Sequence, residues 1–303
     1  MQHFLAFDQP VFRLNTDEFP SSVSIDLVPS ADPQLSIRNG IREIVGDQIG
    51  TVWFRRPLGF GTNRDLPLEA RRFADDECEA LFENLYQMVP NALWVSRPAA
   101  IRRVQRKLWQ LDEAKRFGFS VPDTLVTTSR ERFLSFWNRH KGQVIYKPFG
   151  RNTTRAANGD LCFAYTTKLS NDFLDRLSEI TLAPCMFQEY IEKAVEYRVT
   201  VVKKRVFACE IASQDMDETR IDWRHYERGY CPHKETQLPP AAERRCVDFL
   251  RYLDLEFGAF DFILTPKGDL VFLEVNPNGQ WLWIEQLTGL PISRALFHLL
   301  VTR

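Results

Sequence analysis

The chain has 303 residues and a formal net charge of −1; 44% of its residues are hydrophobic and 26% are charged. This composition is typical of a globular protein, and the length predicts two or three compact lobes. Because the chain has no excess of positive charge that would attract a polyanion, the composition argues against a nucleic-acid partner.

The six cysteines, at positions 78, 162, 185, 209, 231 and 246, include no Cys-x-x-Cys pair. A chain of this length does not need disulfides, so we predict reduced thiols. The N-terminus lacks the regions of a signal peptide, and no apolar run approaches the roughly 20 residues of a membrane span. We therefore predict a cytoplasmic protein with no membrane partner.

The first third of the chain predicts a small α/β lobe over residues 1–98. Val23–Val28 alternates in polarity, as a half-buried strand does. Residues 50–57 predict a strand that stops at a proline, and residues 94–96 predict a short one. A helix is expected over residues 68–89, with an apolar stripe formed by Ala74, Cys78, Leu81, Leu85 and Met88.

Residues 99–187 predict a second lobe, of α+β type. A single basic helix is expected over residues 100–118, where a glycine ends it. Residues 144–148 predict a strand that a proline ends, and residues 161–165 are its predicted partner. A further strand and helix are predicted at 124–128 and 130–140.

Residues 188–303 predict a third lobe in which the strands form hairpins. Two β-rich runs around Lys203 and Lys204 predict a hairpin over 197–211. A second hairpin joins strands at 258–264 and 270–274. Helices are predicted at 241–253 and 291–302.

The last predicted strand ends in two oxygen-bearing side chains, Glu274 and Asn276. Residues i and i+2 of a strand share a face, and a turn at 267–268 brings Asp261 opposite Glu274 approximately in register. Such oxygens suit Mg²⁺, which takes few protein ligands and completes its shell with phosphates and water. The alternative for Asp261 is a structural carboxylate bound to backbone amides.

Two lysines become informative only if a nucleotide site is near. Lys147 lies on a hydrophobic strand and Lys107 in the basic helix, and each alone is typical of a solvated lysine. Residues 187–191 predict a short strand between two lobes, whose backbone could read the edge of a purine. Glu196 follows and could hold a ribose. Alone, this segment is only a linker.

The order of these residues resembles that of the ATP-grasp ligases. Four segments are similar to the microviridin-type peptide ligases, or graspetide synthetases: GTVWFRRP (50–57), EYRVTVV (196–202), IDWR (221–224) and EVNPNGQWLWIE (274–285). The resemblance covers nearly the whole chain and implies an ATP-grasp fold that combines α/β and α+β parts. Its three lobes would be a pre-ATP-grasp lobe (1–98), a central lobe (99–187) and a C-terminal ATP-grasp lobe (188–303). It is weakest over residues 1–20, where the chain lacks the first expected strand.

The resemblance implies that the cofactors are ATP and Mg²⁺, and it assigns roles to twelve residues. Lys107 and Lys147 would contact the phosphates, and Glu196 the ribose. Arg198 and Arg224 would hold the carboxylate or acyl phosphate, with a salt bridge inside its own sheet as the alternative for Arg198. The hinge would read adenine through its backbone, chiefly at the second and fourth of its residues, and three side chains would bind Mg²⁺. The hinge residues are Gln188, Glu189, Tyr190 and Ile191, and the metal ligands are Asp261, Glu274 and Asn276.

The activity implied is that of a peptide macrocyclase. An Asp or Glu side chain of a ribosomally made precursor peptide would become an acyl phosphate, and a Ser or Thr hydroxyl or a Lys amine would displace phosphate. The products would be ω-ester or ω-amide crosslinks. The alternatives are a ligase that adds free amino acids to a protein or small acid, and a non-catalytic peptide-binding protein of this fold.

The implied partner is the leader and core of the precursor peptide, and homodimers are common in the family. The leader would dock on the 197–211 hairpin, whose basic turn (203–205) could meet acidic leader residues. The loop 150–155 would close over the phosphates. Trp281 and Trp283 are expected to share one face of an extended segment, either in the core or against the peptide.

Overall fold

The computed structural model describes residues 9–30, 34–150, 153–155, 160–223 and 231–301. At the N-terminal end, strands β1–β3 form an antiparallel sheet, while β4 and β5 pair in parallel. Helix α1 packs on them through Cys78, Phe82 and Leu85. The elements are β1 (Val23–Val28), β2 (Gln34–Asn39), β3 (Arg42–Val45), β4 (Thr51–Trp53), α1 (Leu68–Leu85) and β5 (Leu93–Val95).

The strand that the chain is expected to lack would fall in residues 1–20, a segment that the structure describes only in part. Residues 1–8 lie outside the described residues, and residues 9–22 contain a 3-10 turn at Thr16–Glu18 and no strand. Strand β4 is shorter than the predicted 50–57, and α1 ends four residues before the predicted 89. The predicted strand Val23–Val28 is confirmed as β1.

A four-stranded antiparallel sheet of order β10-β7-β11-β6 carries the middle of the chain. Helix α4 packs on it through Phe133, Phe136 and Trp137, against Phe187 of β11. The elements are α2 (Pro98–Val104), α3 (Lys107–Arg116), β6 (Thr124–Thr127), α4 (Arg130–Arg139), β7 (Val144–Lys147), β8 (Thr153–Arg155), β9 (Leu161–Phe163), β10 (Thr167–Lys168), a 3-10 segment (Asn171–Thr181) and β11 (Cys185–Glu189).

Two predictions for this region are wrong. The single helix over 100–118 is two helices, because the backbone of Arg106 is extended and α3 starts anew at Lys107. The partner of β7 is not the 161–165 run. That run, as β9, pairs with the nearby β8, while β10 and β11 flank β7. The segment 150–155, which is predicted to be a loop, thus contains strand β8.

A five-stranded antiparallel sheet of order β14-β13-β12-β15-β16 forms the third part. Both predicted hairpins are confirmed: β12 pairs with β13, and β15 pairs with β16. Asp261 lies opposite Glu274, as predicted, although a bulge shifts the register between Asp261 and Phe262. The elements are β12 (Val195–Val202), β13 (Arg205–Ile211), β14 (His233–Thr236), α5 (Pro240–Tyr252), β15 (Phe257–Leu264), β16 (Leu270–Asn276), α6 (Leu282–Thr288) and α7 (Ile292–Val301).

Helix α6 was not predicted, and it overturns the extended segment expected for the two tryptophans. Trp281 precedes the first turn of α6 and Trp283 lies within it, so the two do not share one face of a strand. Trp281 is buried in a core cluster, and the ring of Trp283 packs 5.1 Å from that of Trp223. Both tryptophans thus take part in packing.

In the part of the chain that the structure describes, no helix is long and apolar enough to cross a membrane. All six cysteines are free thiols, as predicted. The lobe boundaries at residues 98 and 187 stay a prediction; residue 187 lies inside strand β11.

Candidate active site

A cavity of about 550 Å³ is lined by residues of the four-stranded and the five-stranded sheets. It brings together ten of the twelve residues predicted for the site; Arg198 does not line it, and Arg224 lies outside the described residues. The ten are Lys107, Lys147, Gln188, Glu189, Tyr190, Ile191, Glu196, Asp261, Glu274 and Asn276.

The oxygen-bearing side chains lie at the end of the β15–β16 hairpin. Asp261 and Glu274 are cross-strand neighbours, and Asn276 follows on the same strand. The amide oxygen Oδ1 of Asn276 accepts a hydrogen bond of 3.0 Å from the backbone N–H of Asn278, which closes the turn after the strand. The hairpin therefore fixes three oxygen-bearing side chains at one edge of the cavity.

Arg198 forms a salt bridge inside its own sheet, which is the alternative role that the sequence analysis gave it. It is the cross-strand neighbour of Asp261, and its Nη1 lies 2.8 and 2.7 Å from the two carboxylate oxygens. Its side chain is buried, and the Nε atom has no hydrogen-bond partner. As the structure stands, Arg198 holds Asp261, and Asp261 faces the cavity.

Two carboxylates and one side-chain amide, as metal ligands, fit Mg²⁺ better than a transition metal. The described residues include no group of three or more Asp, Glu, His or Cys side chains that could hold a metal ion. Mg²⁺ typically binds through one or two carboxylates and keeps several waters or substrate phosphates.

The break between α2 and α3 places Lys107 at the cavity. Gln110 holds the break: its Nε2 donates to the carbonyls of Val104 and Val275, and its Oε1 accepts from the N–H of Val275, all at 2.8 Å. Lys107, the first residue of α3, donates from Nζ to the carbonyl of Pro148 at 2.6 Å. The helix start is thus tied to the strand that carries Glu274 and Asn276.

The hinge strand offers fewer backbone groups than expected. The N–H of Glu189 donates to the carbonyl of Asp123 at 3.0 Å, and that of Tyr190 to the carbonyl of Gln143 at 2.9 Å. Both donors are therefore used within the protein. A purine edge would be read by the carbonyl of Glu189 and the N–H of Ile191.

Gln188 adds a side-chain acceptor to the same wall. It is 1% exposed, and its Nε2 donates to Thr124 Oγ1 at 2.9 Å. Its Oε1 is buried with no hydrogen-bond partner. A buried acceptor left unsatisfied is costly, and a donor on a bound base would remove this cost. The wall therefore fits a ligand that carries an N–H donor.

Glu196 is part of a buried ion pair that the sequence analysis missed. Lys193 Nζ lies 2.8 Å from Glu196 Oε1 and donates to the carbonyl of Ile221 at 2.9 Å. Asp222, also missed, is buried and accepts from the N–H of Thr166 at 3.4 Å. All three acidic or basic side chains line the cavity. The IDWR motif pointed to Asp222; for Lys193 the sequence held no signal.

Two expectations fall on residues outside the described part of the chain. Arg224 lies in the 224–230 segment, so its role stays a prediction. Of the loop at 150–155, Gly150 lines the cavity, residues 151–152 are not described, and Thr153–Arg155 are described as a strand without their side chains.

Comparison with known proteins identifies relatives of this arrangement. The family described as the MvdD pre-ATP grasp domain matches residues 1–102. Comparison with curated protein sequences gives no match. Three of the solved structures that match do so over at least 99% of this chain, at 25–29% identity.

Two of these structures are of macrocyclases, and the third is of a RiPP-associated ATP-grasp ligase. The macrocyclase MdnC of Microcystis aeruginosa MRC, bound with precursor peptide MdnA, has 25% identity and a TM-score of 0.88, covering 100% of this chain and 94% of its own. A RiPP-associated ATP-grasp ligase of Chryseobacterium gregarium, in complex with ADP and a leader and core peptide, has 28% identity and a TM-score of 0.89. The match covers 99% of this chain and 90% of the ligase. The macrocyclase MdnB of Microcystis aeruginosa MRC has 29% identity and a TM-score of 0.81, and the match covers 100% of this chain and 94% of MdnB. The chain therefore has the fold of these two macrocyclases and of the RiPP-associated ATP-grasp ligase over at least 99% of its length.

Proposed function

We propose that this protein is an ATP-dependent macrocyclase that joins side chains within a ribosomally made precursor peptide. The observation that carries the proposal is one cavity lined both by the hinge strand and by two carboxylates and an amide from the β15–β16 hairpin. The peptide complexes of MdnC and of the Chryseobacterium gregarium ligase support it, because both proteins match this chain over at least 99% of its length.

Each wall of the cavity has a task in nucleotide binding. Lys107 and Lys147 would neutralise the phosphates, while the carbonyl of Glu189 and the N–H of Ile191 would hold the base. Asp261, Glu274 and Asn276 would hold Mg²⁺. When bound, this ion supplies charge neutralisation between the phosphates and the incoming carboxylate. Glu196, fixed by Lys193, would accept hydrogen bonds from the ribose.

The chemistry requires two anions to meet. A carboxylate oxygen of the peptide attacks the γ-phosphorus of ATP, the bond to ADP breaks, and an acyl phosphate forms. A hydroxyl or amine of the same peptide then attacks the acyl carbon and loses its proton, and phosphate leaves. Preorganised cations lower the barrier of both steps, because they meet charge as it develops. Water has to be excluded during the reaction, because it would otherwise hydrolyse the acyl phosphate.

The test is an incubation of the protein with Mg-ATP and the peptide encoded by a neighbouring open reading frame. We expect mass spectrometry to show the loss of one water for each bond formed, with one ADP released per bond. A mass increase by an added amino acid would instead support the alternative ligase. Nucleotide and peptide binding without any change in mass would support a non-catalytic protein and contradict the proposal.

A further inference from the structure

Arg55 is a half-buried arginine that has no carboxylate partner among the residues that the structure describes. It follows strand β4, its Nη1 donates to the backbone carbonyl of Asn278, and its guanidinium lies 6.0 Å from the ring centre of Trp53. Burial, together with the charges of Arg56 and Arg198, lowers the pKa of Arg55 to about 10. An arginine in such surroundings is usually paired with an anion.

Arg55 and Arg198 hold the same turn from two sides. Arg55 binds the carbonyl of Asn278, and Arg198 Nη2 binds the carbonyl of Gln280 at 3.3 Å. Gly279 lies between them. A Cβ there would stand 2.4 Å from the Cβ of Ala259 and 2.8 Å from Arg198 Nη2, so the turn packs directly on the guanidinium.

This turn continues the strand that ends in Asn276. Because the N–H of Asn278 bonds to the Oδ1 of Asn276, the carbonyl that Arg55 holds belongs to the residue that closes on the proposed metal ligand. Among the described residues, Arg55 does not line the cavity itself, but its guanidinium binds the turn that directly follows Asn276, at the strand end that carries the proposed metal ligands.

Of the two arginines at this turn, only Arg198 has an anionic partner. Arg198 forms an ion pair with Asp261, whereas Arg55 forms no ion pair with a carboxylate among the described residues. A neutral carbonyl uses one donor of the guanidinium and compensates none of its charge. Arginine presents five N–H donors in a planar fork that matches a carboxylate.

We infer that Arg55, reaching in from the N-terminal part of the chain, binds the peptide carboxylate that is to be phosphorylated. Arg198 then acts as a positioning residue that holds Asp261, because its guanidinium is already engaged. This inference rests on the proposed function and names the residue that selects its acidic substrate.

The kinetic test compares Arg55→Gln with Arg56→Gln, which removes the same charge from an exposed neighbour. For Arg55→Gln we expect KM for the peptide to rise about tenfold or more, since a charge-assisted hydrogen bond is lost, while KM for ATP stays near that of the wild type. Arg56→Gln should leave both values unchanged. An equal rise in both KM values with a lowered Tm would show that Arg55 only supports the turn, and would overturn the inference.

A binding test separates this inference from the proposed function. Calorimetry would compare the neighbouring precursor peptide with a copy in which the acidic core residues are replaced by their amides. The wild type should bind the acidic peptide more tightly, and Arg55→Gln should lose that preference. Equal binding of both peptides by the wild type would overturn the inference, even if crosslinking proceeds. Failure of crosslinking with the preference intact would instead overturn the proposed function.

Discussion

The buried pair of Lys193 and Glu196 is the residue-level feature on which the cavity wall most depends. Both side chains are less than 10% exposed, and Lys193 also binds the carbonyl of Ile221, which precedes Asp222. Taking two charges out of water is costly unless they meet each other and further hydrogen bonds. This pair satisfies both conditions, so it fixes the start of β12 relative to the 221–223 segment.

We predict that Lys193→Met destabilises the protein by about 3–5 kcal/mol, because Glu196 would be left buried and uncompensated. Urea denaturation measures the free energy of unfolding. The matched control is Arg176→Met, which breaks an exposed pair with Glu179 at the same i,i+3 spacing and should change stability little. If the two changes cost the same, the pair has no structural role.

We predict that Glu274→Gln and Asn276→Ala each abolish turnover while leaving peptide binding nearly intact. Glu274→Gln removes the negative charge and one carboxylate oxygen from the end of β16, and Asn276→Ala removes the amide oxygen, while the leader would dock elsewhere. Mass spectrometry of the precursor measures turnover, and fluorescence anisotropy measures binding. Glu235→Gln, on the exposed strand β14, is the control. Dehydrated product from either variant would remove that residue from the metal site.

At the scale of elements, the break between α2 and α3 positions Lys107 at the cavity. Gln110 makes three hydrogen bonds there, two of them to Val275, which is 165 residues away. If Gln110 were removed, three buried backbone groups would lose a hydrogen-bond partner: the N–H and carbonyl of Val275 and the carbonyl of Val104. The break thus depends on tertiary contact and not on local helix propensity.

We predict that Gln110→Met, close in volume, lowers the free energy of unfolding by roughly 2–4 kcal/mol, because buried backbone groups lose their partner. It should also weaken nucleotide binding, since the start of α3 carries Lys107. Lys115→Gln, exposed near the end of α3, is the control and should change stability by less than about 0.5 kcal/mol. Calorimetry with Mg-ATP and urea melts provide the two measurements.

The elements that the sequence predicted well are those that depend on near neighbours. Strand β1, both hairpins and the pairing of Asp261 with Glu274 follow from period-two polarity and from the position of a turn. The order of the motifs, which resembles that of a known family, predicted twelve site residues. Ten of them line one cavity, and their roles stay predictions.

The errors arose where distant contacts decide the structure. The break before Lys107 depends on Val275, and Lys193 shows its role only beside Glu196 and Ile221. The short run at 161–165 has no pattern that distinguishes β7 from β8 as its partner. Trp281 and Trp283 alternate as strand residues do, and yet the segment is a helix packed on the core.

At the scale of the whole molecule, one cavity joins the two larger sheets. Residues from the four-stranded sheet form the hinge wall, and residues from the five-stranded sheet form the wall with the carboxylates. A ligand that fills it contacts both. We therefore expect nucleotide to stabilise the folded protein as a unit, and not one part alone.

We predict that Mg-ATP raises the Tm in a concentration-dependent way, because a ligand that binds only the folded state adds about 2.7 kcal/mol at 100 times its Kd. Differential scanning fluorimetry measures the shift, with Mg²⁺ alone and ATP with EDTA as controls. A Tm that stays constant up to millimolar Mg-ATP would contradict nucleotide binding in this cavity.

The ion pair of Arg198 with Asp261 also bears on the order in which ligands arrive. Two carboxylates and one guanidinium sum to −2 + 1 = −1, which is little charge with which to strip water from Mg²⁺. A triphosphate supplies the missing negative charge. The resting protein should therefore hold no metal of its own and should acquire it together with the nucleotide, so that the supply of nucleotide, and not of metal, sets the fraction of protein that is ready to react.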